Sequence, residues 1–195
     1  PSTSAVAEQA ACLLSHYIQF DTTNPPGAER AALEWLAQVI ADLGITAEVS
    51  LSGSERDRPI LIARVGQGQQ PALVLNHHAD VVPADASAWT HPPFAGEIAD
   101  GYVWGRGALD CKGQGIIFLL GLAQLVAEGA HFTRPVIYLA VPDEECGGQH
   151  GTVWLLEHEP QALNLGEAKT CWVWDEGGVG VADILPDRPL VGISV

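Results

Sequence analysis

The sequence predicts an α/β domain built in three layers, with a mixed, largely parallel sheet flanked by helices. Apolar runs of strand length alternate with helical patterns, and acidic clusters follow directly after several of the strand-like runs. The chain has 195 residues, of which 47% are hydrophobic and 17% charged, so it can bury the core that such a fold requires.

Two amphipathic helices are predicted before the first strand. Apolar residues recur at helical spacing over residues 4–20, until the proline-containing segment 21–27 breaks the pattern. A second helix is predicted over about 29–43, where Gly44 stops it. Two further helices are predicted later in the chain, at about 112–128 and 152–157.

The predicted strands are short apolar runs bounded by turn residues. They lie at about 46–51, 60–65, 72–76, 97–99, 102–104, 136–141 and 171–174, with a last strand beginning near residue 190. Asp100-Gly101 predicts a hairpin between the fourth and fifth runs. In α/β sheets, functional groups gather just beyond the carboxyl ends of the strands. Because polar clusters at 78–80, 143–145 and 175–176 each follow a strand, a site is predicted at one edge of the sheet.

His78 and Asp80 form the first cluster. A histidine after a strand is more often structural than a ligand, but Asp80 would face the same side as His78 on an extended backbone. A carboxylate beside an imidazole fixes its tautomer and makes the other ring nitrogen a better metal donor. The pair therefore favours His78 as a metal ligand that Asp80 orients. His77 competes for the role, but strand alternation turns it to the opposite face.

Asp110 lies in a glycine-rich segment, residues 105–113, ahead of the long predicted helix. One interpretation is that Asp110 is only the N-cap of that helix. The other is that Asp110 projects into the site, where its two oxygens could bridge two cations about 3.5–4 Å apart. Arg106 and Lys112 of the same segment are expected to pair with the surrounding carboxylates.

The acidic run 143–145 directly follows a wholly apolar strand, which is unusual because such runs are mostly solvated surface. Adjacent carboxylates point in different directions, so one can bind a metal while its neighbour reaches a water molecule. We assign Glu145 as a metal ligand and Glu144 as the general base that takes the proton of a water whose pKa the metals lower. Asp143 is assigned a supporting role.

Asp175-Glu176-Gly177-Gly178 repeats the arrangement of strand, acid pair and glycines. These residues also make a good turn, and Glu176 is favoured as the remaining carboxylate ligand only because the other clusters supply further candidate ligands. Carboxylate oxygens combined with imidazole suit Zn²⁺, Mn²⁺ or Co²⁺, with zinc as the default.

Charge and composition exclude several classes of protein. The formal net charge of −15 argues against a nucleic-acid partner, because phosphate binding needs clustered lysines and arginines. No apolar run reaches the roughly 18 uncharged residues of a membrane helix. No basic region precedes the first apolar residues, as it would in a signal peptide. The four cysteines show no CxxC spacing, which favours reduced thiols in a cytoplasmic protein.

The clusters together resemble motifs of the M20 family of metallopeptidases and aminoacylases. The similar segments, in order along the chain, are His78-Ala-Asp80-Val-Val-Pro83, Gly105-Arg-Gly-Ala-Leu-Asp110-Cys-Lys-Gly113, Asp143-Glu144-Glu145-Cys-Gly-Gly148 and Asp175-Glu176-Gly177, together with residues 21–27 and 89–94. The resemblance implies hydrolysis of an amide bond in an N-acyl amino acid or small peptide. It also implies two zinc ions, with cobalt or manganese as alternatives.

The same resemblance implies a role for each candidate residue. His78 and Glu176 would hold one metal and Glu145 the other. Asp110 would bridge the two metals, with a peptide bond to Cys111 that is often cis in the family. Asp80 would orient His78, and Glu144 would be the general base.

Members of the family are about twice as long as this chain, so the resemblance implies a truncated zinc-peptidase-like catalytic domain. Residues 1–195 would be its N-terminal part, without the lid and dimerisation domain and the return segment that carries a last histidine ligand. One metal position would then be whole and the other partial. The full-length parent is expected to be a homodimer through its lid. The alternative expectation is a metal-binding fragment with no catalysis of its own.

Overall fold

The computed structural model describes residues 3–68, 70–165, 171–177, 179–185 and 188–192. The α-helices in these ranges are α1 (Thr3–Ile18), α2 (Arg30–Asp42), α3 (Lys112–Ala127) and α4 (Thr152–His158). The strands are β1 (Glu48–Ser52), β2 (Ile60–Val65), β3 (Leu73–His78), β4 (Glu97–Ala99), β5 (Tyr102–Trp104), β6 (Val136–Val141), β7 (Trp172–Trp174), β8 (Val179–Leu185) and β9 (Arg188–Gly192). The predicted α/β class is confirmed.

The main sheet has five strands in the order β1-β2-β6-β3-β7. Strand β2 is antiparallel to both of its neighbours, whereas β3 is parallel to β6 and to β7. All strands of this sheet except β2 therefore run in the same direction, so the sheet is mixed and largely parallel, as predicted. Strands β4 and β5 form a separate hairpin, and so do β8 and β9.

Helices cover both faces of the main sheet and give the three predicted layers. Helices α1, α2 and α3 pack on the larger core, which includes Tyr138 of β6. Leu155 of α4 packs on the smaller core of the other face, together with Ile137 and Leu139 of β6. Successive residues of β6 thus enter opposite cores and are all buried. For this reason its sequence is continuously apolar rather than alternating.

The parallel strands bring the predicted clusters to one edge of the sheet. His78 pairs in register with Val141 of β6, and β7 ends where Trp174 pairs with Leu75 of β3. The acidic clusters that follow β6 and β7 therefore leave the sheet beside His78. Strand β3 extends to His78 rather than ending at residue 76, and the alternation continues to its end.

The remaining predicted elements are found with ends shifted by at most two residues. Strand β8 was not predicted. Among the described residues, no helix combines the length and the apolar character needed to span a bilayer.

Gly115 of α3 lies directly over the buried ring of His77. A Cβ at this position would lie 2.4 Å from His77 Nε2, whereas a Cβ at Gly121 of the same helix would meet nothing within 4 Å. The His77 ring packs against Tyr138 and is in hydrogen-bond contact with Tyr17, so it cannot readily move away.

We therefore expect Gly115→Ala to lower the free energy of unfolding by about 1–3 kcal/mol, because the added methyl overpacks the core. Gly121→Ala should raise the free energy of unfolding by roughly 0.5–1 kcal/mol through helix propensity alone. Chemical denaturation of both variants measures the difference. Equal effects at the two positions would show that the contact with His77 has no energetic weight.

Candidate metal centre

The two ring nitrogens of His78 have different surroundings. Nδ1 lies 2.8 Å from the backbone carbonyl oxygen of Asp80 and 3.6 Å from Asp80 Oδ1. Because a carbonyl oxygen only accepts, Nδ1 donates to it, and in the neutral ring Nε2 keeps the lone pair that a metal needs. Nε2 lies 2.8 Å from Asp110 Oδ1 and 3.6 Å from Glu176 Oε1. It is therefore directed at the two carboxylates expected on the same metal.

Asp80 is fully buried, and its carboxylate fixes the acidic turn after β6. Oδ1 accepts the backbone N–H of Glu144 at 3.1 Å, and Oδ2 accepts the backbone N–H of Glu145 at 3.3 Å. Oδ2 also accepts from the side-chain amide of Asn24 at 2.8 Å. The carbonyl of Asp80 meets the imidazole at hydrogen-bond distance, while its carboxylate meets the turn. One residue thus links His78 to both acids.

Two sets of potential ligand atoms converge on His78. Within each set the atoms all lie within 4.8 Å of one another, and the sets are His78, Asp110, Cys111 and Glu176, and His78, Glu144 and Glu145. Every residue predicted as a metal ligand belongs to one of these sets. Asp110 belongs to the first set only, so its bridging role stays a prediction. Cys111 was not predicted, and its Sγ accepts the backbone N–H of His78 at 3.2 Å.

The converging acids have no basic partner among the described residues. None of Asp110, Glu144, Glu145 and Glu176 forms an ion pair with a lysine or arginine there. Burial raises the pKa of Glu145 and of Glu176, and the nearby charge of Asp110 adds to this rise. Carboxylates crowded in this way favour a bound cation, so the donor set fits a divalent metal.

The pKa of His78 depends on burial and on the groups around its ring. Burial lowers its pKa, but hydrogen bonds to Asp80 and Cys111 outweigh burial and raise the pKa of His78 well above its ordinary value. His77, on the opposite face of β3, behaves in the reverse way, because burial lowers its pKa to about 3. Strand alternation therefore places His77 and His78 on opposite faces of β3, as predicted, with His77 in the core.

Asp110 does not cap α3. The residue at the N-cap position is Cys111, and no side chain there makes a capping hydrogen bond. The peptide bond between Asp110 and Cys111 is cis, as the resemblance implied. The Asp110 side chain is 66% exposed and contacts His78, which favours the second interpretation of the glycine-rich segment.

Neither basic residue of the glycine-rich segment pairs with a carboxylate in the part of the chain that the structure describes, so that prediction was wrong. Lys112 is fully buried, and its Nζ donates to the carbonyl oxygens of Tyr17 at 3.2 Å and Phe20 at 2.8 Å. These carbonyls lie at the end of α1, where they need donors. Burial lowers the pKa of Lys112 to about 7. The guanidinium of Arg106 lies over the Trp89 ring, 5.2 Å from its centroid.

Glu176 is held in place by its neighbour. Asp175 Oδ1 accepts the backbone N–H of Glu176 at 2.9 Å, and Asp175 Oδ2 accepts from the side-chain amide of Asn76 at 2.7 Å. These bonds tie the segment after β7 to β3. Asn76 was not predicted, although a lone polar residue in an apolar strand was a signal for it. A cleft of about 530 Å³ opens here, with Thr152 on its wall.

A network of buried polar side chains, which was not predicted from the sequence, is hydrogen-bonded to Asp143 at the start of the acidic turn. Asp143 Oδ1 accepts from Arg58 Nη2 at 2.9 Å and from Asn24 Nδ2 at 3.1 Å, while Oδ2 accepts the backbone N–H of His150 at 3.0 Å. Arg58 Nε also lies 3.4 Å from Glu29 Oε2. The supporting role predicted for Asp143 thus has a structural counterpart. Of the other residues in this network, only Asn24 lies in a segment, residues 21–27, that resembles the family.

A mixed α/β sheet with an imidazole and several carboxylates near its strand ends, none of them paired with a described lysine or arginine, is typical of metal-dependent hydrolases. The chain belongs to the peptidase family M20/M25/M40, whose family model matches residues 74–184, more than half of its length.

Curated relatives agree with this membership. Succinyl-diaminopimelate desuccinylase of Methylobacterium radiotolerans is 42% identical over 133 residues, which cover 66% of this chain and 33% of the relative. Aminoacylase-1 of Sus scrofa is 35% identical over 162 residues, which cover 80% of this chain and 39% of the relative. The chain therefore spans about a third to two fifths of the length of these relatives.

Solved structures share the fold. An M20 family metallo-carboxypeptidase from Sulfolobus solfataricus superposes with a TM-score of 0.72 at 22% identity, covering 89% of this chain and 38% of that one. Human carnosine dipeptidase 1 superposes with a TM-score of 0.70 at 18% identity, and the match covers 91% of this chain and 41% of the dipeptidase chain. At these identities the likeness establishes the architecture and confirms the predicted fold class.

Proposed function

We propose that the protein hydrolyses amide bonds of N-acyl amino acids or small peptides with the help of divalent metal ions. The observation that carries this proposal is the convergence of His78 with four carboxylates that have no lysine or arginine partner among the described residues. The names of the relatives, a desuccinylase and an aminoacylase, support an acylated amino acid as the substrate class.

In this proposal His78, Asp110 and Glu176 would hold one metal ion and Glu145 would contribute to a second, with Asp110 as a candidate ligand of both. Bound metals would lower the pKa of the attacking water and polarise the scissile carbonyl. Zinc is the preferred ion, because imidazole with carboxylates is a common zinc donor set, and cobalt or manganese could replace it.

Glu144 is proposed as the general base. Its backbone is fixed by Asp80, and its carboxylate lies beside His78 and the carboxylate of Glu145. It takes a proton from the water that attacks the carbonyl carbon. When the carbon–nitrogen bond breaks, the same carboxylic acid returns the proton to the leaving amine. Asp80 takes no part in proton transfer and holds His78 and the acidic turn in position.

The wider setting of the site is also proposed. Residues 1–195 would supply the metal-binding part of a metallohydrolase catalytic domain, and the whole protein would be a homodimer. A cytoplasmic location is supported by the free thiols of all four cysteines, Cys12, Cys111, Cys146 and Cys171.

Metal depletion of the purified, complete protein tests this function. N-acetyl and N-succinyl amino acids and dipeptides should be hydrolysed, and treatment with a chelator should remove the activity because the water is no longer activated. Added Zn²⁺ or Co²⁺ should restore hydrolysis, whereas Ca²⁺, which prefers a larger all-oxygen site, should not. Full turnover by metal-depleted protein, or no hydrolysis after reconstitution, would refute the proposal.

A further inference from the structure

Arg58 lies in the loop between β1 and β2, 85 residues before Asp143, yet its guanidinium contacts Asp143 at the start of the acidic turn. Its side chain is buried, and its Nη2 lies 2.9 Å from Asp143 Oδ1. We propose that Arg58 is a positioning residue that fixes Asp143 and thereby orients Glu144 and Glu145. The kinetic test of this role rests on the proposed function, whereas the role itself is inferred from the contacts of Arg58 and Asp143.

Asp143 needs such support because its backbone lies in the left-handed region, with φ at 74°. Residues other than glycine rarely adopt this conformation, and they persist in it where the surroundings hold them. Both carboxylate oxygens of Asp143 are engaged, and its backbone oxygen accepts the N–H groups of Cys146 and Gly148. The 3-10 turn Glu144–Cys146 starts at the next residue. The orientation of Asp143 therefore sets the direction in which both acids leave the strand.

Arg58 contacts two buried carboxylates, and its contact with Asp143 is the shorter of the two. Burial raises the pKa of Glu29 to about 7 even though Arg58 lies beside it. Arg58 Nη2 lies 2.9 Å from Asp143 Oδ1, whereas Arg58 Nε lies 3.4 Å from Glu29 Oε2.

Asn24 connects this support to the other side of the turn. Its side-chain amide donates to Asp143 Oδ1 at 3.1 Å and to Asp80 Oδ2 at 2.8 Å. Asp80 in turn accepts the backbone N–H groups of Glu144 and Glu145. The turn is thus fixed through the buried carboxylates of Asp80 and Asp143, which the Asn24 amide joins. Arg58 contacts the carboxylate of Asp143.

A purely structural role for Arg58 would be to neutralise buried acid, and a double variant separates the two roles. Arg58→Met leaves Asp143 without its guanidinium and should lower both stability and kcat. Adding Glu29→Gln removes the other buried acid beside position 58 and should recover part of the lost stability. Asp143 remains unsupported, so a positioning role predicts that kcat stays about 10- to 100-fold below wild type, the usual effect of losing a partner of a metal ligand.

The single variants supply the controls. Glu29→Gln alone keeps the bond between Arg58 and Asp143, and its kcat should stay close to that of the wild type. Arg58→Lys retains the charge without the planar fork and should restore part of kcat in comparison with Arg58→Met. KM should change by less than about threefold in all of them, because the side chain at position 58 is buried beneath the turn and not at the surface. Recovery of kcat in parallel with thermal stability in the double variant would overturn the positioning role.

Cobalt binding gives a readout that does not depend on turnover. Co²⁺ titrated into metal-free double variant should bind more weakly than to Glu29→Gln, and the visible absorption of the loaded protein should change, because Glu145 is displaced. If the wild type binds Co²⁺ but hydrolyses nothing, the proposed function fails while this comparison still tests Arg58. Unchanged affinity and spectrum in the double variant would overturn the inference, and absence of Co²⁺ binding by the wild type would overturn both proposals.

Discussion

Glu144→Gln should abolish hydrolysis while leaving the metal content of the protein unchanged. Glutamine keeps the shape of the side chain, and the backbone N–H at this position can still donate to Asp80. Its amide cannot take a proton from water, so the step that generates the nucleophile loses its base. Because general base catalysis contributes roughly 10²- to 10⁴-fold, kcat should fall by at least this factor.

Steady-state kinetics and elemental analysis of the same preparations measure both parts of this prediction. Glu157→Gln makes the same chemical change at an exposed position of α4 and should have the kinetics of the wild type. Turnover that survives in Glu144→Gln would show that another group is the base. Loss of metal together with turnover would instead make Glu144 a ligand, which its place in the second set of ligand atoms permits.

Asp80→Asn is expected to have the second largest effect, because several buried donors depend on this carboxylate. The N–H groups of Glu144 and Glu145 and the amide of Asn24 all donate to its two oxygens. Asparagine has one side-chain oxygen, so at least one of these donors would face an NH₂ group. We expect the free energy of unfolding to fall by about 1–3 kcal/mol, the cost of a buried unsatisfied polar group.

Asp80→Asn should also lower metal affinity and kcat/KM by about 10- to 100-fold, because the acidic turn that carries Glu144 and Glu145 shifts. Asp85→Asn is the matched control. Asp85 accepts from Ser87 at an exposed turn, where asparagine serves equally well as a cap. Wild-type metal affinity in Asp80→Asn would show that the position of the acidic turn does not depend on this carboxylate.

Those parts of the fold that depend on local pattern could be predicted from the sequence. The continuous apolar run of β6 and the Asp100-Gly101 turn gave the bounds of β6, β4 and β5 to the residue. Strand alternation correctly separated His77 from His78. The end of β3 was missed because two histidines resemble loop residues. Burial of His77 against Tyr17 and Tyr138 is a tertiary property that no local pattern contains.

The support beneath the site could not be predicted for a related reason. Asn24 and Arg58 meet Asp143 across 119 and 85 residues of sequence, and nothing near Arg58 distinguishes it from a surface arginine. Lys112 was misassigned because the free carbonyls at the end of α1 become visible as acceptors only once α1 and α3 are packed together. Of the proposed ligands, His78, Glu145 and Glu176 lie at or just after the ends of β3, β6 and β7, where the topology of the sheet made their convergence predictable. Asp110, which precedes α3, was predicted from its glycine-rich segment instead.

Binding of Zn²⁺ to the metal-free protein tests most directly whether His78 and its surrounding carboxylates form a metal centre. Isothermal titration calorimetry should show tight binding by the wild type. His78→Ala should bind far more weakly, because His78 belongs to both sets of converging ligand atoms. His131→Ala, at an exposed histidine outside these sets, should bind as the wild type does. Absence of binding by the wild type, or equal binding by His78→Ala, would contradict the account.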